Sequence, residues 1–385
     1  MILDKTKVYI GRVNDYIPEL LEARLREGFE AIGGIRELVS GKKVFVKINQ
    51  LANRPPEEAV TTHPLVVEKV VKILLECGAR IIVGDDIESR TQGEDGFLIT
   101  GMREVCQRLG VELINLKTCP YEKIERRDNQ FIKELYIARP VLEADIIVNL
   151  PKLKTHSQTV ITAAIKNLYG LIPQGERGRL HAAYAGIDDF SEIVVDIFNS
   201  RRPSLNIMDA ILAMEGEGPM GGTPRWLGLL LISRDAVAMD AVVSSIVGLS
   251  PGEVKHISKA AMRGLGSGNL AEMDIVGEPL EKLKLDDFKL PKITLQAFIP
   301  KALYKLVYKI IAIRPKILSE VCSLCSRCVE RCPAEAMEIK KGKLTIDYRL
   351  CIGCLCCQEI CASRAIKSFR SLPGEILMKM KKICS

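Results

Sequence analysis

From Lys7 onward the chain alternates short runs of β-branched and aliphatic residues with longer stretches whose apolar positions recur every three to four residues. Val8 to Val13 predicts a strand, and Ile17 to Ile32 a helix stopped by Gly33-Gly34. Lys43 to Ile48 predicts the next strand. Thr62-His63-Pro64 then reads as a helix start, capped by Thr62 or His63, with proline in the first turn and Gly78 closing the helix after Cys77. Ile81 to Val83 predicts a buried strand ending at Gly84-Asp85-Asp86, followed by a helix over Gly101 to Leu109 and a strand over Val111 to Leu116. Two alternating runs around Asp128-Asn129 predict a hairpin attached to the sheet. Further on, strands are expected at Ala144 to Leu150, Ser204 to Leu212, Leu227 to Ser233 and Asp274 to Val276. Helices are expected from about Gln158 to Tyr169 and at Ile187 to Phe198, Ala236 to Val247 and Gly252 to Arg263, with a loop over Met214 to Pro224. This rhythm predicts an α/β domain over residues 1–290, a mostly parallel doubly wound sheet covered on both faces.

The pattern changes after Pro291. Residues 297–313 predict a helix with Ile299, Leu303, Leu306 and Ile310 on one face and Lys301, Lys305 and Lys309 on another. The stretch 291–318 is therefore expected to be a basic amphipathic linker, packed between domains or lying on a membrane surface as a peripheral contact. Residues 371–385 form a basic tail.

Between them, over 319–370, eight cysteines fall into two copies of one spacing. Cys322, Cys325, Cys328 and Cys332 form C-x-x-C-x-x-C-x-x-x-C, and Cys351, Cys354, Cys357 and Cys361 repeat it 29 residues later. Each copy runs into a similar tail, which marks an internal duplication. Cysteine at every third position lets three thiolates converge on one iron–sulfur cubane while the fourth reaches across to its neighbour. The expected ligand sets are Cys322, Cys325, Cys328 and Cys361 for one [4Fe-4S] cluster, and Cys351, Cys354, Cys357 and Cys332 for the other. The stretch resembles the bacterial two-cluster ferredoxin module, a small α+β fold, and the resemblance implies electron transport. Zinc knuckles and a disulfide framework are the competing readings of paired C-x-x-C. Two positions depart from the repeat: Ala362 stands where the first copy has Pro333, and Cys356 is an extra thiol, read either as a small buried side chain or as a redox-active group.

Composition and charge add two expectations. No apolar run approaches the length needed to span a bilayer, and Met1 to Ile10 carries charges where a signal peptide needs its apolar stretch, so a cytoplasmic location is expected. The net charge of +7 is uneven: residues 292–385 carry 18 Lys and Arg against 7 Asp and Glu, leaving residues 1–291 slightly acidic. Such a basic module fits an acidic redox partner protein or an anionic surface. Nucleic acid is disfavoured, because the basic residues lack the interleaved aromatics that stack on bases.

Outside the cysteines the densest chemistry lies in Asn149 to Gly170. Lys152, Lys154 and His156 alternate, so on an extended chain they share one side, just past a strand end and before the expected helix, where open α/β sheets and helix N-termini favour anionic ligands. Glu215 and Glu217 sit in a loop with four glycines, able to hold a cation or move protons. Asp85-Asp86 is read as a metal site or a helix cap. Lys47-x-Asn49, Thr62-His63-Pro64, the Pro151 to Gly170 stretch, and Asp209 with Glu215 to Thr223 resemble the domain-of-unknown-function family 362, over about residues 40–280. That family often carries a C-terminal two-cluster ferredoxin module.

His156, Lys166 and His181 also resemble, in spacing alone, the residues that hold the nickel-pincer nucleotide in the lactate racemase family. That resemblance implies Lys166 as a cofactor anchor and His156 and His181 as ligands or proton shuttles. The expected catalytic residues are thus His156, Lys166 and His181. Lys152, Lys154, Asn167, Glu215 and Glu217 are the expected cofactor-binding residues, for an anionic substrate or cofactor that exchanges electrons with the clusters. The alternatives are a ferredoxin-type carrier with a non-catalytic docking domain, and a nickel-pincer enzyme.

Overall fold

The computed structural model describes residues 5–87, 96–184, 186–291, 313–330, 332, 334–351, 356–359, 361, 363 and 365–370. In chain order the first strands are β1 (Thr6–Arg12), β2 (Lys43–Lys47), β3 (Arg80–Asp85), β4 (Glu112–Asn115), β5 (Tyr121–Glu125), β6 (Glu134–Ala138), β7 (Ile146–Asn149) and β8 (Lys152–His156). They are followed by β9 (Val160–Thr162), β10 (Leu205–Glu215), β11 (Thr223–Ser233), β12 (Met273–Gly277), β13 (Ile313–Ile317), β14 (Met337–Lys340), β15 (Lys343–Ile346) and β16 (Ile366–Arg370).

One sheet organises the large region, in the order β12-β1-β11-β10-β7-β2-β3-β4, with β8 added to β10 and β9 to β8. Along that path only β11 runs against its neighbours, so the sheet is mostly parallel. Alternate residues of a strand point to opposite faces. Phe45 accordingly joins one apolar layer with Val8 and Ile10, while Val44, Val46 and Tyr9 join the other. Helices Ile187–Ser200 and Ala236–Ile246 bury Phe190, Ile193, Val237 and Val242 in the first layer. Helices Pro18–Ala31, Pro64–Glu76 and Met102–Leu109 bury Leu21, Leu25, Val67 and Val105 in the second. The sheet is therefore doubly wound, with helices on both faces.

Its strand order reverses at β2. From β2 the chain steps outward to β3 and β4, then returns to place β7 on the other side of β2. Ligand crevices in open α/β sheets form at such a reversal, at the C-terminal strand ends. Here those ends deliver Lys47 and Asn149, with Asn49 two residues past β2.

Three sequence expectations need correction. Gln158 to Tyr169 is not one helix. β8 and β9 form a tight antiparallel hairpin through 157–159, with Val160 in the left-handed region (φ 68°), and only Ala164–Asn167 is α-helical. The β-branched run Thr159-Val160-Ile161-Thr162 explains this, since such side chains lose rotamer freedom in a helix and fit a pleated surface. No helix N-terminus therefore follows His156 directly. The β5–β6 hairpin forms its own two-stranded sheet instead of joining the large one. The expected loop over Met214 to Pro224 is shorter, because β10 and β11 stay paired out to Glu215 and Thr223.

In the cysteine region β13 pairs with β16, and β14 with β15. Among the described residues its apolar cluster is small: Cys328, Met337, Cys357 and Ile366. The basic helix expected at 297–313 lies outside the described residues except for Ile313, which begins strand β13. Pro315 fits that strand because, among the described residues, β13 pairs with β16 alone and the other edge is unpaired. The basic tail and Cys354 also lie outside the described residues, as does the side chain of Cys356.

Candidate functional site

At the reversal, charged side chains are buried and paired. Lys47 donates to Asp85 at 2.7 Å and to the Ile48 carbonyl at 2.7 Å. Lys152, fully buried, donates to Asp209 at 2.8 Å and to the Tyr16 hydroxyl at 3.0 Å, and Tyr16 donates to the other Asp209 oxygen. The His63 amide completes the Asp209 shell at 2.9 Å, and the His63 ring stacks on Tyr16 at 3.6 Å between centroids. Burial pushes both lysines below the usual ammonium range, with Asp85 and Asp209 pushing back. Burial first, and Asp209 second, push the Tyr16 hydroxyl far up. Tyr16 therefore stays a neutral donor.

Lys154 heads a chain of amides. It donates to Asn49 at 2.6 Å and to the Val60 carbonyl at 2.7 Å. Asn49 donates to Asn167, Asn167 to Asn149, and Asn149 to Asn206, at 2.6, 2.7 and 3.0 Å. Asn49, Asn149, Asn167 and Asn206 thus satisfy one another across the crevice, as buried polar groups must. Lys152 and Lys154, expected on one side of an extended segment, do lie on one strand, but each ammonium is engaged by groups of the chain itself.

The histidines gather one layer further along. His156 Nδ1 accepts from the Gln158 and Thr159 amides at 3.0 and 3.2 Å, so the tight turn fixes its ring. Gln158 Oε1 in turn meets His181 Nδ1 at 2.6 Å, and His181 stacks on Phe190. Lys166 lies over the Tyr169 ring at 4.1 Å, a cation–π contact. Burial, followed by the Lys166 charge, holds His156, His181 and His256 below the usual imidazole range, His256 at about 3. Three of the four histidines of the chain are therefore neutral around one ammonium. The structure brings His156, Lys166 and His181 together, and it adds His256, whose two buried ring nitrogens have no hydrogen-bond partner. Asp240 accepts from the Ala164 and Ile165 amides and so fixes the turn that carries Lys166; burial pushes its carboxyl up to about 8 despite those two amides.

Glu215 and Glu217 are separated in role. Glu215 is buried and binds Arg225 at 2.9 Å and the Lys289 amide at 3.1 Å. Glu217 belongs to the loop that lies over β8, where Gly218 donates to Thr155 Oγ1 at 3.1 Å. A Cβ on Gly218 would stand 2.1 Å from the Thr155 carbonyl, so only glycine permits that approach. Asp86, read from the sequence as part of a metal site or helix cap, forms an ion pair with Arg177. Among the described residues no three His, Cys, Asp or Glu gather tightly enough for a single metal ion. Sequence reasoning passed over Gln158, Tyr16, Asp240 and His256. Only the scarcity of histidine, four in 385 residues, pointed toward His256.

In the cysteine region, Cys322, Cys325, Cys328 and Cys361 line one pocket. Leu324 and Ser326 adopt left-handed backbone (φ 52° and 60°), which wraps the Cys322 to Cys328 loop tightly. Burial, then Cys361, Cys325 and Cys322 in that order, push the Cys328 thiol up to about 11. Cys332 and Cys361 each accept an amide from the residue four positions on, Ala336 and Ala365, both at 3.2 Å. The two copies thus share hydrogen bonding as well as spacing.

Comparison with known proteins places this geometry in a family. A thylakoid-associated protein of Synechocystis sp. is 32% identical over 293 residues, covering 74% of this chain and 88% of that protein. A pyruvate synthase subunit of Methanocaldococcus jannaschii is 40% identical over 58 residues, which are 15% of this chain and 67% of that subunit. The lactate racemase apoprotein from Thermoanaerobacterium thermosaccharolyticum aligns in structure at 12% identity and a TM-score of 0.40, over 55% of this chain and 51% of that one. Residues 44–245, more than half of the chain and including every crevice residue named above except Tyr16 and His256, match the family described as Domain of unknown function (DUF362), and the chain belongs to that family.

Proposed function

We propose that the chain is an iron–sulfur electron-transfer protein whose α/β domain binds an anionic ligand beside His156, Lys166 and His181. The observation that carries the first half is the pocket lined by Cys322, Cys325, Cys328 and Cys361, the same four that the ferredoxin spacing assigns to one cluster. Burial and the neighbouring Cys361, Cys325 and Cys322 oppose ionisation of the Cys328 thiol, and a cationic metal centre, which holds its cysteines as thiolates, would offset that cost. The second cluster takes Cys332, Cys351, Cys354 and Cys357. The short likeness to a pyruvate synthase subunit supports this reading, being about the length of the cysteine region. When bound, such clusters supply one-electron chemistry.

The chain's own residues do the rest. Gln158 and the tight turn orient His156 and His181, neutral and able to accept a proton, and Lys166 supplies the cation. Lys152, Lys154 and Asn167 hold the crevice walls in place.

Anaerobically purified protein is expected to contain about eight irons per chain, as two four-iron clusters require. His156→Ala is expected to weaken binding of an anion probe such as inorganic phosphate while leaving the visible cluster spectrum intact. Loss of both together identifies His156 as structural, and iron-free protein ends the reading. A second reading, a nickel-pincer enzyme with Lys166 as anchor, is favoured by the convergence of His156, Lys166 and His181. It requires nickel and a nucleotide in the same metal and mass analysis.

A further inference from the structure

Two residues that each carry a buried polar atom without a partner line one small cavity where the cysteine region meets the α/β domain. The cavity is lined by Ser157, Glu217, Gly218, Pro219, Met220, Gly221 and Gln358, and has room for about one water molecule. Ser157 Oγ and Gln358 Oε1 are the two orphans. Buried groups of this kind find a partner in a protein or in ordered water. Ser157 follows His156 directly, and Gln358 follows Cys357. Gly221 lets Gln358 come close: a Cβ on it would stand 3.2 Å from Gln358 Nε2 and 3.0 Å from the Glu217 carbonyl.

We propose that a water held between Gln358 and Ser157 seats the cysteine module on the α/β domain, so that the half of the module carrying Cys357 faces the histidine crevice. The connection then runs Cys357, Gln358, water, Ser157, His156. In the other half Val321, Leu324 and Cys325 are exposed, as are Tyr348 and Leu350 beside Cys351. This inference rests on the cluster reading for the role of Cys357, while the contact itself stands on the cavity and its two orphaned atoms.

Gln358→Ala and Gly221→Val test it in the full-length protein, with amide hydrogen exchange and a redox titration followed by paramagnetic resonance. Gln358→Ala removes the bridging oxygen, and the branched side chain of Gly221→Val pushes Gln358 away. Both variants are expected to speed exchange over residues 215–222 and to shift the midpoint potential of one cluster signal but not the other, with iron content unchanged. Unchanged exchange over 215–222 overturns the contact. A shift of both signals together, or of neither, overturns the assignment of the Cys357 half to the crevice. Iron-free wild-type protein sinks the cluster reading instead, and the exchange result still decides the contact.

Discussion

The two regions of this chain reach order by different means. The α/β region buries two extensive apolar layers on either side of its sheet and can therefore hold fully buried pairs such as Lys152 with Asp209. Among the described residues the cysteine region has a small buried apolar cluster, Cys328, Met337, Cys357 and Ile366, and two-stranded sheets that are marginal in water on their own. A region of that size rarely stabilises itself by apolar burial, and metal binding commonly supplies the missing free energy. On the proposed reading the dependence divides: metal for the small region, protonation state for the large one.

Removing metal attacks the comparison most directly. Cys328→Ala, or anaerobic iron chelation, is expected to abolish protection from hydrogen exchange throughout residues 313–370. The α/β region should keep its cooperative melting transition. A single transition that disappears as a whole would mean that the large region depends on the metal too.

Acid should act on the opposite region. His63 is held at about 4 and His256 at about 3, and His156 and His181 are also depressed, all mainly by burial. Their folded-state values lie below the unfolded value of about 6.5, so the unfolded chain takes up these protons first and stability falls as pH drops from 6.5 toward 4. Asp240 has the opposite sign. Its folded value of about 8 exceeds the unfolded one, so its contribution grows as pH falls from 8 toward 4. Asp86, also raised by burial, shares the sign of Asp240, and the four histidines outweigh these two carboxyls below 6.5. The α/β melting temperature should therefore be highest near pH 6.5 and fall steeply below it, and a profile flat from pH 7 to 4 contradicts the burial of these rings.

A smaller effect comes from breaking one buried pair. Lys152→Ala leaves Asp209 as an uncompensated buried charge, at a cost of about 3–5 kcal/mol. Tyr16 and the His63 amide stay on Asp209 and soften the loss. Denaturant titration should show a lower midpoint for the α/β transition at an unchanged slope, with the iron content untouched. A change below 1 kcal/mol would move Lys152 from a wall of the crevice to a group free to bind ligand.

How much of this was legible depended on whether the signal was local. Cysteine spacing is local, and the four residues it assigned to one set, Cys322, Cys325, Cys328 and Cys361, line one pocket. Helix starts were legible for the same reason: His63 does cap Pro64–Glu76, accepting from the Leu65 amide. The hairpin at Gln158 was hidden because its pattern, read for apolar period alone, also fits a helix. His256 and Tyr16 were hidden because the fold joins them to the site across long sequence separations. Nothing near Tyr16 announces an Asp209 partner 193 residues away.

The finest test lies at Gly170. A Cβ there would stand 3.0 Å from Asp85 Oδ1 and 3.1 Å from Lys47 Nζ, inside the buried pair that closes the β2 end of the crevice. Its backbone is not left-handed, so Gly170→Ala carries no strain of its own and the cost comes from crowding alone. Because Lys47 and Asp85 are buried and bound to each other, neither moves aside freely, and a loss of about 1–3 kcal/mol is expected. Double substitution with Lys47→Met should not add to it, since the atoms being crowded are the ones removed. Additive losses would mean that the pair yields to the methyl group, so that the large region is softer at its ligand crevice than its buried charges imply.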